Sequence, residues 1–187
     1  MLYSCFLLII VLQRGIELRI AQKNEITLKK QGALEFGQKH YPYIVIIHLL
    51  FFISLSIEVY VFQKQISPVW PFLLVLFIFA QIGRGWAIRS LKEFWNTKII
   101  VLPRAEVIQK GPYRFIKHPN YVIVILEFLT IPLLFSAYFT AFLFSFLNLL
   151  LLSVRIQVEE QALNELTEYE TLFRPTKRFI PKFIKKS

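Results

Sequence analysis

Cysteine occurs once in these 187 residues, and histidine three times. The single Cys5 lies inside the first apolar run, so neither a disulfide framework nor a thiolate metal site is available. His40, His48 and His118 do not pair at metal-ligand spacing, and no metal is expected. Acidic residues are also scarce, 12 against 22 Lys and Arg, for a net charge of +10. In a soluble chain that excess would suggest nucleic acid. A hydrophobic content of 56% with mean hydropathy +0.53 instead excludes an ordinary soluble domain and fits a polytopic membrane protein. There, basic loops are explained first by topology, and no nucleic-acid partner is expected.

What is present is a series of apolar runs. The reading is all-α: one membrane domain over 1–187, with spans at about 1–20, 41–62, 68–88, 119–135 and 138–155. No basic n-region or small-residue cleavage site marks the first run as a signal peptide, so it is read as a short span with Arg14, Glu17 and Arg19 in interfacial turns. The segment 21–40 is expected as a loop, with a surface helix as the alternative. In the third span Gly83 and Ala87 offer a small-residue face for close helix contact, and Trp70 and Trp86 sit near its ends as interfacial anchors. The stretch 156–173 reads as an amphipathic helix on the membrane surface, and the tail RFIPKFIKKS as an interfacial anchor. Of the 22 basic residues, 21 fall on one side of this layout. By the positive-inside rule that side is cytoplasmic, the N-terminus faces out and the C-terminus faces in.

The chain is organised around GPYRFIKHPNY, Gly111 to Tyr121, and RIQVEEQAL, Arg155 to Leu163. His118 and Arg155 are 37 residues apart, enough for an up-and-down hairpin with its break near Phe135–Tyr138. The hairpin returns Arg155, Glu159 and Glu160 to the face His118 started from, and the region 111–173 is read as a cofactor site. Below that face lie Glu127, about 13 Å deep, and Asn148, about 10 Å deep, at the rise of a helix. Gln81 and Arg84 occupy the same half of the third span. Ionisable groups at such depth are costly unless paired or facing a cavity, and so mark function. The layout suits an enzyme taking a soluble donor from the cytoplasm and a lipophilic acceptor sideways from the bilayer. Simpler roles compete with this. Glu58 can reach water near the outer end of its span, His48 can bond a neighbouring helix, and Glu127 can pair with Arg84 to fix packing. Arg155 can snorkel, and Glu159 with Glu160 can form a solvated helix face.

GPYRFIKHPNY, an apolar hairpin and then R-x3-E-E-x2-L together resemble the isoprenylcysteine carboxyl methyltransferase family, integral membrane enzymes that use S-adenosylmethionine. The likeness extends upstream through GRGWAIRSLKEFWNTKIIVLP and covers roughly 70–175. HYP before the second span, FWNTKI and VRIQVEEQAL resemble in particular the alkylpyrone O-methyltransferases that act after type III polyketide synthases. The resemblance implies S-adenosylmethionine as cofactor, with His118, Tyr121, Arg155, Glu159 and Glu160 as contacts and Pro119 shaping the turn. It also implies methylation of an acidic ring hydroxyl on a long-chain pyrone, with a prenylcysteine carboxylate or another lipid as the alternative acceptor. Arg84 and Glu127 are then the candidates for positioning the acceptor, with Arg89 and Lys98 as further cations. A non-catalytic scaffold or transporter subunit would explain the hairpin and the basic loops, but not three spans placing polar groups at one depth.

Overall fold

An apolar run that water cannot solvate becomes a helix, because only there does every backbone N–H find a carbonyl within its own segment. The computed structural model describes residues 2–181. It carries helices α1 (Leu2–Lys30), α2 (Tyr41–Val61), α3 (Trp70–Leu91), α4 (Pro119–Leu134), α5 (Tyr138–Leu166) and a short α6 (Tyr169–Phe173). Three helical stretches are long and apolar enough to cross a membrane: α2, α3 extended by one turn to Phe94, and α5. α4 has only 16 residues, and α1 carries Arg14, Glu17 and Arg19 among its apolar residues. Length and composition alone thus support three spans, and the expected five go beyond them. The outer surface is apolar: Phe142, Phe79 and Leu49 are 78%, 66% and 59% exposed, as suits a surface wetted by lipid rather than water.

α4 is the central helix. Its residues Tyr121, Ile123, Glu127, Phe128 and Ile131 are all buried. Pro119 opens it at the first helical position, where the missing N–H costs nothing. The small-residue face of α3 receives it as expected: Ile123 packs with Ala80 and Ala87, and comes within 3.5 Å of where a Cβ on Gly83 would stand. The turn from α4 into α5 runs through Phe135–Ala137, with Ser136 at φ 53°. Glu58 of α2 closes that end of the molecule. Its carboxylate accepts from the backbone N–H of Thr140 at 2.8 Å, the Thr140 hydroxyl at 2.8 Å and the N–H of Phe139 at 3.2 Å. Glu58 is therefore structural, but as a buried cap on the start of α5 rather than a group reaching water.

The structure departs from the expected layout in three places. α1 does not stop near residue 20 but runs to Lys30, because 21–30 holds no Gly or Pro; Gly32, at φ 93°, follows its end. The chain is not wholly helical. β1 (Leu34–Phe36) and β2 (Ile99–Val101) form an antiparallel pair with Leu34 opposite Val101 and Phe36 opposite Ile99. The surface helix expected over 156–173 is mostly the continuation of α5, which runs unbroken to Leu166. Its apolar stripe has a partner other than the bilayer: Ala162 packs on Ile99 and Val101, with Val158, Leu163 and Leu166 alongside. Of the expected tail anchor, residues 182–187 lie outside the described residues.

α1 is joined to the bundle by a buried polar network. Gln13, Arg14 and Glu17 point inward rather than resting in interfacial turns. The Gln13 amide donates to Gln81 at 2.6 Å and to Glu17 at 2.9 Å, and Gln81 donates to Glu127 at 2.7 Å. Both Arg14 and Arg84 donate to Glu127 and to Glu17. Two guanidiniums and two carboxylates are thus neutralised between α1, α3 and α4. Breaking such a buried pair is costly because the surviving charge stays uncompensated. Glu127→Leu should cost about 3–5 kcal/mol, and Arg84→Met with Glu127→Leu should recover much of it, as read by thermal unfolding in detergent. Glu58→Ala, at the opposite end, should cost about 1–2 kcal/mol as a lost cap and leave every ligand affinity at the other end unchanged.

Candidate active site

The site forms where the basic end of the bundle collects the loop 92–118, the start of α4 and the C-terminal half of α5. Gly111 sets the path of that loop. It sits at φ 57°, and a Cβ there would collide with the Ser90 hydroxyl of α3. The 3-10 turn Gly111–Arg114 then leads the chain into His118, the residue before the first turn of α4.

Two chains of contacts hold the α4–α5 seam. In the first, Tyr121 donates its hydroxyl to Glu159 and accepts from Arg155 Nε at 2.8 Å, while Arg155 Nη2 donates to the Thr97 carbonyl at 2.6 Å. In the second, His118 Nε2 bonds Glu160 Oε1 at 2.9 Å, and Arg178 forks onto both oxygens of Glu160 at 2.6–3.2 Å. The rings of His118 and Tyr121 stack at 5.2 Å, and the Arg155 guanidinium carbon lies 5.7 Å from the Tyr121 ring centre. The last described residues run alongside: the N–H groups of Lys117 and His118 donate to the carbonyls of Lys177 and Arg178. Sequence reasoning did not anticipate this strap, and nothing in the spacing of the tail announced it.

A cleft lies against the first of these chains. His118, Tyr121, Arg155 and Glu159 line it; Pro119 and Glu160 do not. The two neighbouring acids thus differ. Glu160 has both oxygens occupied, whereas Glu159 keeps Oε1, and Arg155 keeps Nη1, without a protein partner among the described residues. Tyr113 and Tyr169 also face the cleft. Burial, then the charge of Glu159, pushes both phenols above their ordinary range, so each stays protonated. Three buried polar atoms at the cleft have no partner among the described residues: Trp95 Nε1, Asn120 Oδ1 and Tyr169 Oη.

A second, mostly apolar pocket lies deeper in the bundle. Leu18 of α1 with Val45 and Leu49 of α2, all exposed on the lipid side, form its outer lips. Arg14, Glu17, Arg84, His48 and Asn148 supply its polar groups. His48 does not bond a neighbouring helix as expected; its Nδ1 meets the Ile44 carbonyl of its own helix at 2.8 Å. Arg84 lines the pocket but is held by Glu127 and Glu17, and Glu127 lies behind it. Lys98 is engaged with Glu25 at 2.8 Å, and Arg89 lies on the exposed surface away from both cavities. Trp95, Asn96, Asn120, Tyr121 and Arg155 line both the cleft and the pocket. Trp95, Asn96 and Asn120 were present in the FWN and HPNY motifs without an assigned role; Arg14 and Glu17 were read as interfacial.

The sequence profile of the isoprenylcysteine carboxyl methyltransferase family matches residues 73–165, spanning α3 to the end of α5. A protein of Bacillus subtilis (strain 168), described as "Uncharacterized protein YpbQ", is 52% identical over 157 residues, covering 84% of this chain and 94% of the relative. An "Uncharacterized protein" of Haemophilus influenzae is 30% identical over 165 residues, covering 88% and 94%. The matched segment contains both halves of the α4–α5 seam and the Arg84–Glu127 pair, and the chain belongs to the isoprenylcysteine carboxyl methyltransferase family.

Proposed function

We propose that the protein is an S-adenosylmethionine-dependent O-methyltransferase of the membrane, acting on a lipophilic acceptor. The observation that carries this reading is that Asn120, Tyr121 and Arg155 line both a cleft at the basic end, which carries charged and polar groups, and an apolar pocket lipped by exposed apolar residues. A soluble donor and a membrane-dissolved acceptor reach such a junction from opposite sides. The basic end is then the cytoplasmic one, as the distribution of Lys and Arg requires.

The cleft fits the cofactor in kind. Arg155 Nη1 is a free cationic donor for its carboxylate, and Glu159 Oε1 a free acceptor for its ammonium or ribose hydroxyls. Trp95 Nε1, Asn120 Oδ1 and Tyr169 Oη are orphaned polar atoms of the sort an adenosine would satisfy. Bound there, S-adenosylmethionine supplies an electrophilic methyl group on a sulfonium. Tyr121, its ring stacked on His118 and faced by the Arg155 guanidinium, stands at the junction as an aromatic wall. Glu160 acts at one remove, fixing His118 and, through Arg178, the strap. Most of the rate acceleration comes from alignment, since holding two reactants in line is worth several kcal/mol.

For the acceptor, our reading is the acidic ring hydroxyl of a long-chain alkylpyrone. Carboxyl methylation of a prenylcysteine also fits the family and is the second reading. A methyl-transfer assay with labelled S-adenosylmethionine, offering an alkylpyrone and a farnesylated cysteine analogue together, separates the two. Label on the pyrone supports the first reading, and label on the prenylcysteine alone overturns it. Glu159→Ala and His118→Ala should each weaken S-adenosylhomocysteine binding by about tenfold or more, the value of a charge-assisted hydrogen bond, as measured by calorimetry in detergent. Unchanged affinity in both would remove the cleft from cofactor binding.

A further inference from the structure

We propose that Asn148 selects the acceptor by hydrogen-bonding a second oxygen on the ring that carries the methylated oxygen; this rests on the methyl-transfer reading above. Asn148, Leu151, Leu152 and Arg155 line the apolar pocket from α5. Steps of three and four residues put all of them on one face of the helix. Asn148 therefore lies two turns from Arg155, about 10 Å along the axis, and it does not line the cleft. It is 3% exposed, and its Nδ2 has no hydrogen-bond partner among the described residues. A buried amide left unpaired is costly, and a leucine would fill the same space without that cost. The pocket thus keeps a polar group where packing alone does not call for one.

The polar neighbours of Asn148 in the pocket do not claim it. Arg14, Glu17 and Arg84 spend their charges on one another and on Glu127. His48 of α2 stands at the same level. Ser54 bonds Thr140 at 2.9 Å and the rings of Phe51 and Phe144 meet at 5.8 Å. This antiparallel register of α2 and α5 brings His48 level with Asn148 to within a turn. The Nδ1 of His48 is taken by the Ile44 carbonyl at 2.8 Å, and its Nε2 has no hydrogen-bond partner among the described residues. The two side chains make a polar shelf in a stretch of pocket otherwise walled by Val124, Leu151 and Leu152.

Junction, shelf and lips together define the class of acceptor. The guanidinium of Arg155 favours an anionic oxygen at the junction. The shelf offers a neutral amide, which can turn either its NH2 or its carbonyl to a ligand and so suits a carbonyl or a hydroxyl. About two helical turns separate the levels, the span of one six-membered ring with a hydrogen bond beyond it. The tail leaves past the exposed lips Leu18, Val45 and Leu49. A ring bearing the reacting oxygen, a second oxygen and an alkyl tail at alternate positions meets all three. A simple fatty carboxylate, with one polar end and a hydrocarbon tail, leaves Asn148 unpaired. A site built to bond a substrate group rejects the analogue that lacks it.

The test measures binding to the purified full chain in detergent, without cofactor, of two acidic probes with equal tails. One is a 4-hydroxy-6-alkyl-2-pyrone; the other is an alkyltetrafluorophenol, an acid of comparable strength with no ring carbonyl. The wild type should bind the pyrone about tenfold more tightly, the worth of one buried hydrogen bond. Asn148→Leu should weaken the pyrone by about tenfold and leave the fluorophenol within about threefold, so that the preference disappears. Asn148→Ala should lose the same preference and serves if the leucine variant does not fold. A wild type without the preference, a variant that keeps it, or no binding of the pyrone to the wild type would each overturn the proposal. Because no cofactor is present, failure of the methyl-transfer reading is registered separately, as absence of S-adenosylhomocysteine binding while the pyrone preference stands.

Discussion

A guanidinium inside an apolar bundle must be neutralised at short range, because the medium cannot screen it and water cannot reach it. Arg84 is 3% exposed and Glu127 is 3% exposed, and their pairing fixes where α3 meets α4. The same carboxylate also holds Arg14, and Glu17 returns a second negative charge to Arg84, so α1 is tied to the bundle at the same level. Buried ion pairs contribute little net stability compared with apolar packing of equal volume. Their effect here is positional. A helix whose outward face would be equally content in lipid at any rotation is held at one rotation by six polar side chains.

That positioning gives the apolar pocket one wall of fixed, self-neutralised charge. Tyr121 and Arg155 line this pocket and the cleft alike. The two acids of the EE pair then diverge in role although they are adjacent in sequence. Glu159 bonds Tyr121 and keeps one oxygen open to the cleft, whereas Glu160 is consumed by His118 and Arg178. Membrane depth accounts for the division of labour: charged, solvent-reachable groups gather at the basic end, and what lies deeper is either paired or neutral.

Much of this was legible in the chain. Apolar runs bounded by Pro and polar turns marked the helices because nothing else satisfies a backbone in lipid. The hairpin arithmetic brought His118, Arg155, Glu159 and Glu160 to one end. The Gly83–Ala87 face predicted a close helix contact because a small side chain permits little else there. What escaped was the set of pairings made at long range. Arg14 and Glu17 look like interfacial charges, since only the fold reveals that partners wait on α3 and α4. The Ile-Ile-Val run at 99–101 gave no sign of its strand partner 65 residues upstream, and so the apolar stripe of 156–166 was assigned to the bilayer it does not need. His48 was read as a bond to a neighbour; a histidine that bonds its own helix and leaves one nitrogen open has no signature in spacing.

The proposed meeting of donor and acceptor at Asn120, Tyr121 and Arg155 is open to test by an experimental structure of the full chain in lipid nanodiscs with S-adenosylhomocysteine. The adenosyl and amino-acid portions are expected in the cleft, with the thioether sulfur at van der Waals distance, about 4 Å, from Tyr121 or Asn120 and turned toward the apolar pocket. A sulfur directed away from that pocket, or product bound elsewhere on the protein, would contradict it.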